Sequence, residues 1–126
     1  MPVNTICGSK NEKYVYSAGE DLEIILWDIK TMRAIRRFGK DGHTRPISTI
    51  ALDAESKFLA TGSEDKTIKI WNLDELSVVK TFTDHKDVIT SLKFSSKSNI
   101  LYSTSLDGFF KIWDMDQMNS ITSLGS

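Results

Sequence analysis

Residues 61–72 read Thr61-Gly62-Ser63-Glu64-Asp65-Lys66-Thr67-Ile68-Lys69-Ile70-Trp71-Asn72. A hydroxyl, a carboxylate four positions on and an indole six positions beyond that recur on both sides of this stretch, as Ser17, Asp21 and Trp27 before it and Ser103, Asp107 and Trp113 after it. The tryptophans lie 44 and 42 residues apart, and each is followed by a short polar residue, Asp28, Asn72 or Asp114. His43 and His85 each precede their tryptophan by 28 residues. Positions held in register over successive copies make an internal repeat, and a repeat of this period marks a stack of supersecondary units.

Inside each unit the apolar residues fall in short runs bounded by turn-forming Gly, Asn, Lys and Asp. These runs predict strands at 3–7, 14–17, 23–29 and 34–38, then at 47–52, 58–61, 67–73 and 78–82, with the third unit on the same plan. Each unit is thus four strands. Ile68, Ile70 and Leu73 interleave with Thr67, Lys69 and Asn72, a near period of two that turns one face to a core, and no segment sustains a period of 3.6. The two prolines, Pro2 and Pro46, fall where strands begin and leave the ladders uninterrupted.

Composition narrows the function classes. The chain has 126 residues, 40% hydrophobic and 26% charged, with 16 basic and 17 acidic side chains and a net charge of -1. Those are the proportions of one folded domain rather than a disordered tail. No run approaches the ~20 apolar residues of a membrane span, and residues 1–9 lack the basic and apolar regions of a signal peptide, so no membrane attachment is expected. The charge balance argues against a global claim on nucleic acid. A single cysteine, Cys7, precludes an internal disulfide and suits a reducing, intracellular compartment. Phosphate-loop, dinucleotide and zinc-protease signatures are absent, so neither cofactor nor metal is expected.

Four-stranded units of about 42 residues that carry Gly42-His43 and then Thr61 to Asn72 resemble the WD-repeat family of β-propellers. The resemblance covers essentially the whole chain. It implies an all-β fold of three four-stranded antiparallel blades, units 1–41, 42–83 and 84–126, within one partial propeller spanning 1–126. Departures are Asp84 where glycine usually precedes the histidine, Asn72 for aspartate, and Ala18 and Thr104 where Gly62 stands.

The resemblance also implies a role for the recurring polar residues. His, Ser and Asp are the ingredients of a nucleophilic triad. In the family, however, a loop histidine, a strand hydroxyl, a turn aspartate and a third-strand indole form one buried hydrogen-bond network per blade, here His43-Thr61-Asp65-Trp71 and His85-Ser103-Asp107-Trp113, with Ser17, Asp21 and Trp27 in the first unit. Each donor then has an acceptor. An active site is needed once, whereas this set occurs twice in full. No catalytic residue is expected, and the chain is not read as an enzyme.

The missing first histidine would fall just before Met1, and the next just past Ser126, so the chain is expected to hold three whole blades. Propellers close with about 4 to 8 blades, so two blade faces stay open. Further blades are expected from the rest of a longer chain, or from a second copy completing a six-bladed ring.

Function in such a scaffold lives on loops. The resemblance marks one rim as the partner-binding face, here Arg45, Pro46, Asp87 and Val88 with Glu20, Glu64 and Leu106. Partners are expected to be other proteins of a complex. The alternative is an RNA-contacting subunit that uses the basic cluster of Arg33, Arg36 and Arg37 with Lys40 and Arg45 to reach phosphates; an outer strand charged against edge pairing explains the same residues. Of Phe109 and Phe110, one must face away from its own sheet core. Cys7 is expected to be a small buried residue near the inner side of the ring. Residues 43–53 with 58–62 are similar to the early blades of transducin-β-like scaffold subunits of the small-subunit processome, and 101–105 with 111–113 to another WD-repeat subunit of that machinery. This similarity implies ribosome biogenesis and a nuclear or nucleolar setting; without it, the cytoplasm.

Overall fold

The computed structural model describes residues 3–9, 12–40, 42–95 and 99–125. Twelve strands follow in order: β1 (Val3–Gly8), β2 (Tyr14–Gly19), β3 (Ile24–Asp28), β4 (Arg33–Phe38), β5 (Ile47–Leu52), β6 (Phe58–Ser63), β7 (Ile68–Asn72), β8 (Ser77–Phe82), β9 (Ile89–Phe94), β10 (Ile100–Ser105), β11 (Phe109–Asp114) and β12 (Asn119–Gly125). They form three antiparallel sheets, β1 to β4, β5 to β8 and β9 to β12, each a meander of sequential neighbours. These are blades of a propeller whose ring is not closed. The expected strands are present, with ends shifted by a residue or two; Pro2 lies outside the described residues.

Consecutive sheets bury both faces of the middle one. Tyr16, Ala18, Ile24 and Phe38 from the first sheet meet Ile47, Ile50, Leu59 and Trp71 from the second. Ala60, Ile68, Ile70 and Phe82 from the second meet Ile89, Leu92, Leu101 and Trp113 from the third. The period-two alternation of β7 therefore divides its side chains between two cores rather than between a core and solvent. Ile68 and Ile70 face the third sheet, while Trp71 faces the first and is met edge-on by Phe38 at 5.8 Å. Trp113 instead stacks on Phe82 at 4.1 Å.

The same register explains the exposed side chains at the two ends. In the third sheet Thr104 pairs with Phe110 and Phe110 with Leu124, so Phe110 stands where Ile24 and Ile68 stand in the other sheets, on the face turned away from the second sheet. It is 43% exposed, with Tyr102 and Leu124 beside it. Phe109 lies on the opposite face, 38% exposed. At the other end Val3 and Ile6 are exposed, although their counterparts Ile47, Ile50, Ile89 and Leu92 are buried. Cys7 is half-buried rather than fully enclosed, although Ala51 at the matching place in β5 is buried. Burial against Tyr16 and its cluster pushes its thiol up to about 12, so it stays protonated.

Each inner strand carries a one-residue bulge, at Asn4, Ser48 and Thr90. The bulge turns a polar side chain toward the next blade. Asn4 Nδ2 donates to the Ile47 carbonyl at 3.1 Å, and the Ser48 hydroxyl donates to the Ile89 carbonyl. Hydrogen bonds therefore register the blades near the inner edge where the apolar contacts begin.

Gly62 sits at a close blade-to-blade approach. A Cβ there would lie 2.5 Å from Cγ2 and 2.8 Å from Cβ of Ile89. Ile89 is branched and fully buried, so it cannot swing aside. Overpacking of this kind costs about 1 to 3 kcal/mol. Gly62→Ala is expected to lower the unfolding free energy by that amount, seen by tryptophan fluorescence as a lower urea midpoint with the slope of the transition unchanged.

Candidate functional site

The loops before β5 and β9 bring a histidine over the top of each sheet. His43 Nδ1 lies 2.9 Å from Asp65 Oδ2 and His43 Nε2 lies 2.6 Å from Thr61 Oγ1, while Trp71 Nε1–H donates to the same Thr61 oxygen at 2.8 Å. In the third sheet the distances are 2.9 Å for His85 Nδ1 to Asp107 Oδ2, 2.8 Å for His85 Nε2 to Ser103 Oγ and 2.9 Å for Trp113 Nε1 to Ser103 Oγ. A carboxylate beside Nδ1 fixes the proton there, so Nε2 of the neutral ring accepts from the hydroxyl, whose own lone pair accepts the indole proton. The chain of donors runs one way and leaves no member idle.

The aspartates are tied down further. Thr44 N–H and Lys86 N–H, each from the residue after the histidine, donate to the Oδ2 that the imidazole uses. Thr67 N–H and Phe109 N–H donate to Oδ1 across the turn, and the Thr67 hydroxyl adds a second bond to Asp65 at 2.5 Å. Burial raises both carboxyls, but these donors outweigh it. Asp107 is brought down to about 2, and Asp65 is held well below the usual carboxylate range.

The first sheet has the remaining parts of the set. Trp27 Nε1–H donates to Ser17 Oγ at 2.8 Å, and Glu23 N–H to Asp21 Oδ1 at 3.2 Å.

This arrangement suits structure rather than nucleophilic attack. His85 and Ser103 are 3% and 1% exposed, so no substrate reaches the hydroxyl, and that hydroxyl already serves the indole. Among the described residues no group of three His, Cys, Asp or Glu side chains is arranged to hold a metal, and no helix is long and apolar enough to cross a membrane.

The loop rim lies at the same end of the blades. Pro46 O accepts from Glu64 N–H at 3.0 Å and Val88 O from Leu106 N–H at 3.0 Å, so the loop before each inner strand is fastened to the turn that carries its aspartate. Arg45 and Glu64 approach to 3.9 Å in solvent. Leu106 is 65% exposed, and Asp87 caps Val88 N–H with its own carboxylate. Glu20 occupies the equivalent turn of the first sheet and is exposed.

A family model described as "WD domain, G-beta repeat" matches residues 1–28, 34–72 and 76–114. The chain belongs to the WD40 family. Among solved structures it is similar to the WD40 repeats of RRP9 in a crystal structure, with 27% identity, a TM-score of 0.92, and coverage of 98% of this chain and 38% of that one. It is also similar to the structure of U3-55K, with 28% identity, a TM-score of 0.90, and coverage of 98% and 39%. The chain therefore spans about two fifths of the length of these relatives. In all, 1322 solved chains match, so the WD40 shape alone selects no partner. No curated protein matches by sequence.

Within this WD40 segment the basic cluster is divided. Leu26 pairs with Arg36 and Ile25 with Arg37, which sets the two arginines on opposite faces of β4. Arg37 lies 3.6 Å from Glu23, whereas Arg45 is out on the rim beside Glu64. Arg33, Arg36 and Lys40 are exposed. Adjacency in sequence suggested one patch, but strand alternation separates neighbours by construction.

Three contributors escaped the sequence reading. The buried Ser63 hydroxyl donates to the carbonyls of the Arg45-Pro46 loop and accepts from Asp65 N–H, and Ser105 does the same with Asp87 O and Asp107 N–H. Their shared offset, two residues before the aspartate, was the available signal. Thr67 has none, because Glu23 and Phe109 stand at its position.

Removing the Trp71 ring leaves Thr61 with an idle lone pair and opens a cavity, for about 3 to 5 kcal/mol out of a total of roughly 5 to 15. Trp71→Ala is expected to unfold or precipitate the protein at ambient temperature, and Asp65→Ala to lower the melting temperature strongly; an unchanged melting temperature in either would refute the network role. The unfolded Asp107 carboxyl takes up its proton near pH 4 but the folded one only near 2. Its stabilisation is therefore complete above pH 4 and lost as pH falls toward 2. Circular dichroism melts should decline below pH 4, with a shallower decline there in Asp107→Asn than in the parent.

Proposed function

We propose that the chain is a non-catalytic scaffold that holds protein partners of a multiprotein complex on its loop rim, through Glu20, Arg45, Pro46, Glu64, Asp87 and Leu106. The observation that carries this reading is an exposed leucine, 65% accessible, among charged groups on loops anchored by hydrogen bonds to a buried sheet. A large apolar side chain held rigidly in water loses little freedom on contact and gains area, which is how interface anchors work. The three repeating units, 1–41, 42–83 and 84–126, would each supply one sector of that rim, and further blades would come from the remainder of a longer chain or from a second copy.

The setting we propose is pre-rRNA processing in the nucleolus. Its support is the similarity of residues 43–53 with 58–62, and of 101–105 with 111–113, to processome WD subunits, alongside the likeness to the RRP9 and U3-55K repeats. Arg33, Arg36 and Arg37 belong to the outermost strand, and keeping that edge charged hinders strand pairing with other chains. An RNA-contacting role for them gains little support from a cluster split over two faces with Arg37 already facing Glu23.

The test is co-sedimentation of tagged protein with pre-ribosomal particles on a gradient. Leu106→Glu, or Arg45→Glu with Glu64→Lys, should move the protein to the free fractions while its melting temperature stays within a few degrees of the parent. Variants that co-sediment unchanged would overturn the rim assignment. Filter binding to RNA at two salt concentrations should show no difference between the parent and Arg36→Ala/Arg37→Ala.

A further inference from the structure

A groove opens on the outer side of the blades between the first sheet and the second, each with all four of its strands. It has a volume of about 240 Å³ and is lined by Gly39, Lys40, Gly42, Trp71, Leu76 and Val78. A cavity on the order of 150 Å³ accepts benzene, so one phenyl or leucyl side chain fits. A difference in loop length underlies the groove. Phe38 and Phe82 hold matching places at the ends of β4 and β8, but His43 follows Phe38 by five positions and His85 follows Phe82 by three. The longer loop passes the outer end of the Trp71 ring on two glycines, at each of which a Cβ would fall within 3.3 Å of the ring carbon Cη2. In the third blade Phe82 instead lies flat on Trp113 at 4.1 Å.

Charge decides what enters. Arg36 pairs with Leu26, which packs into the core between the first two blades, so Arg36 stands on the face of β4 turned to the second blade. Lys69 shares the opposing face with Trp71, its Nζ donating to the Thr81 hydroxyl at 3.1 Å, and Lys40 lines the groove itself. Among the described residues none of these three cations has a carboxylate in ion-pair range, whereas Arg37 on the other face has Glu23 and Arg45 has Glu64. Asp74 and Glu75 are exposed in the turn before Leu76, at the end of the groove away from Lys40. An apolar slot flanked by unpaired cations is complementary to an apolar side chain with carboxylates beside it.

We propose that this groove docks an acidic segment of a partner protein. One large apolar side chain enters against Trp71, Leu76 and Val78, and the carboxylates next to it meet Lys40, Arg36 and Lys69. The contact lies on the outer wall, apart from the loop rim. RNA would satisfy the cations but could not stack a base, because Trp71 is 3% exposed and has no open ring face.

The experiment uses the intact chain, labelled with nitrogen-15, and follows the Trp71 and Trp113 indole signals and the Val78 amide at low and at physiological salt. The probes are the heptapeptide Asp-Glu-Asp-Phe-Asp-Glu-Asp, its Phe→Ala form, a form with lysine at every acidic position, and a uridine dodecamer. The acidic peptide should shift Trp71 and Val78 saturably, more weakly at the higher salt, and leave Trp113 in place. The alanine form should bind about tenfold more weakly or worse, the value of burying one aromatic side chain, and the lysine form should not bind. Lys40→Glu and Arg36→Glu should each weaken the peptide by up to about fivefold, and Val78→Asp by about tenfold, while an unmoved Trp113 signal and an unchanged melting temperature report an intact fold. Equal binding of the alanine form would overturn the apolar slot, and binding of the lysine form would overturn the charge assignment. RNA that shifts Trp71 more tightly than the peptide would give the groove to nucleic acid, and a Trp71 signal that moves with protein concentration alone would give it to a second copy; either overturns the proposal, as does a Trp71 signal indifferent to the peptide.

Discussion

The constraint on which the structure depends is the buried indole N–H. A tryptophan is needed at the blade interface for its area, since Trp71 and Trp113 are the largest side chains closing the two cores. Its N–H cannot be buried without an acceptor, because an unpaired donor in the interior costs about 1 to 3 kcal/mol. The acceptor must be short and must sit on the neighbouring strand, which is the place of Thr61 and Ser103. That hydroxyl then has its own proton to place, so an imidazole follows, and the second nitrogen of the imidazole requires a carboxylate. The tetrad is the shortest chain of groups that ends on an ion able to take several donors.

The carboxylate end of the chain joins core to rim. Asp65 and Asp107 collect backbone N–H groups from the loop before the blade and from the turn after β6 or β10, and so fix the relative position of the two segments that carry the exposed side chains. Ser63 and Ser105 fasten the same segments from below. The loops at this end are thereby tied to the sheet beneath them at several points. In this wiring the histidine, serine and aspartate that touch one another are engaged in holding loop, strand and turn together.

Repetition is what made the fold readable. Five positions per unit carried the family, and the strand runs carried the four-stranded plan, because burial of alternate residues leaves its trace directly in composition. The tetrad partners were readable for the same reason: Thr61, Asp65 and Trp71 keep constant offsets from their counterparts. Thr67 and Gly62 were not readable as contributors, since each is unique to the second unit and acquires meaning only from what faces it, His43 in one case and Ile89 of the next blade in the other. The basic residues after Arg33 misled in the opposite sense, as closeness along a strand means opposite faces.

The sequence by itself determined the repeat of three units in this segment, the recurring histidine, hydroxyl, aspartate and indole of the networks and the apolar positions that must be covered, because these follow from spacing and from the donors and acceptors each side chain carries. Tertiary structure alone decided which core each face joins, how closely the blades approach at Gly62, and that Arg36 and Arg37 part company. Those outcomes depend on contacts between residues more than forty positions apart, and such contacts are set by strand register and the packing of one sheet on the next, neither of which leaves a local mark in the chain.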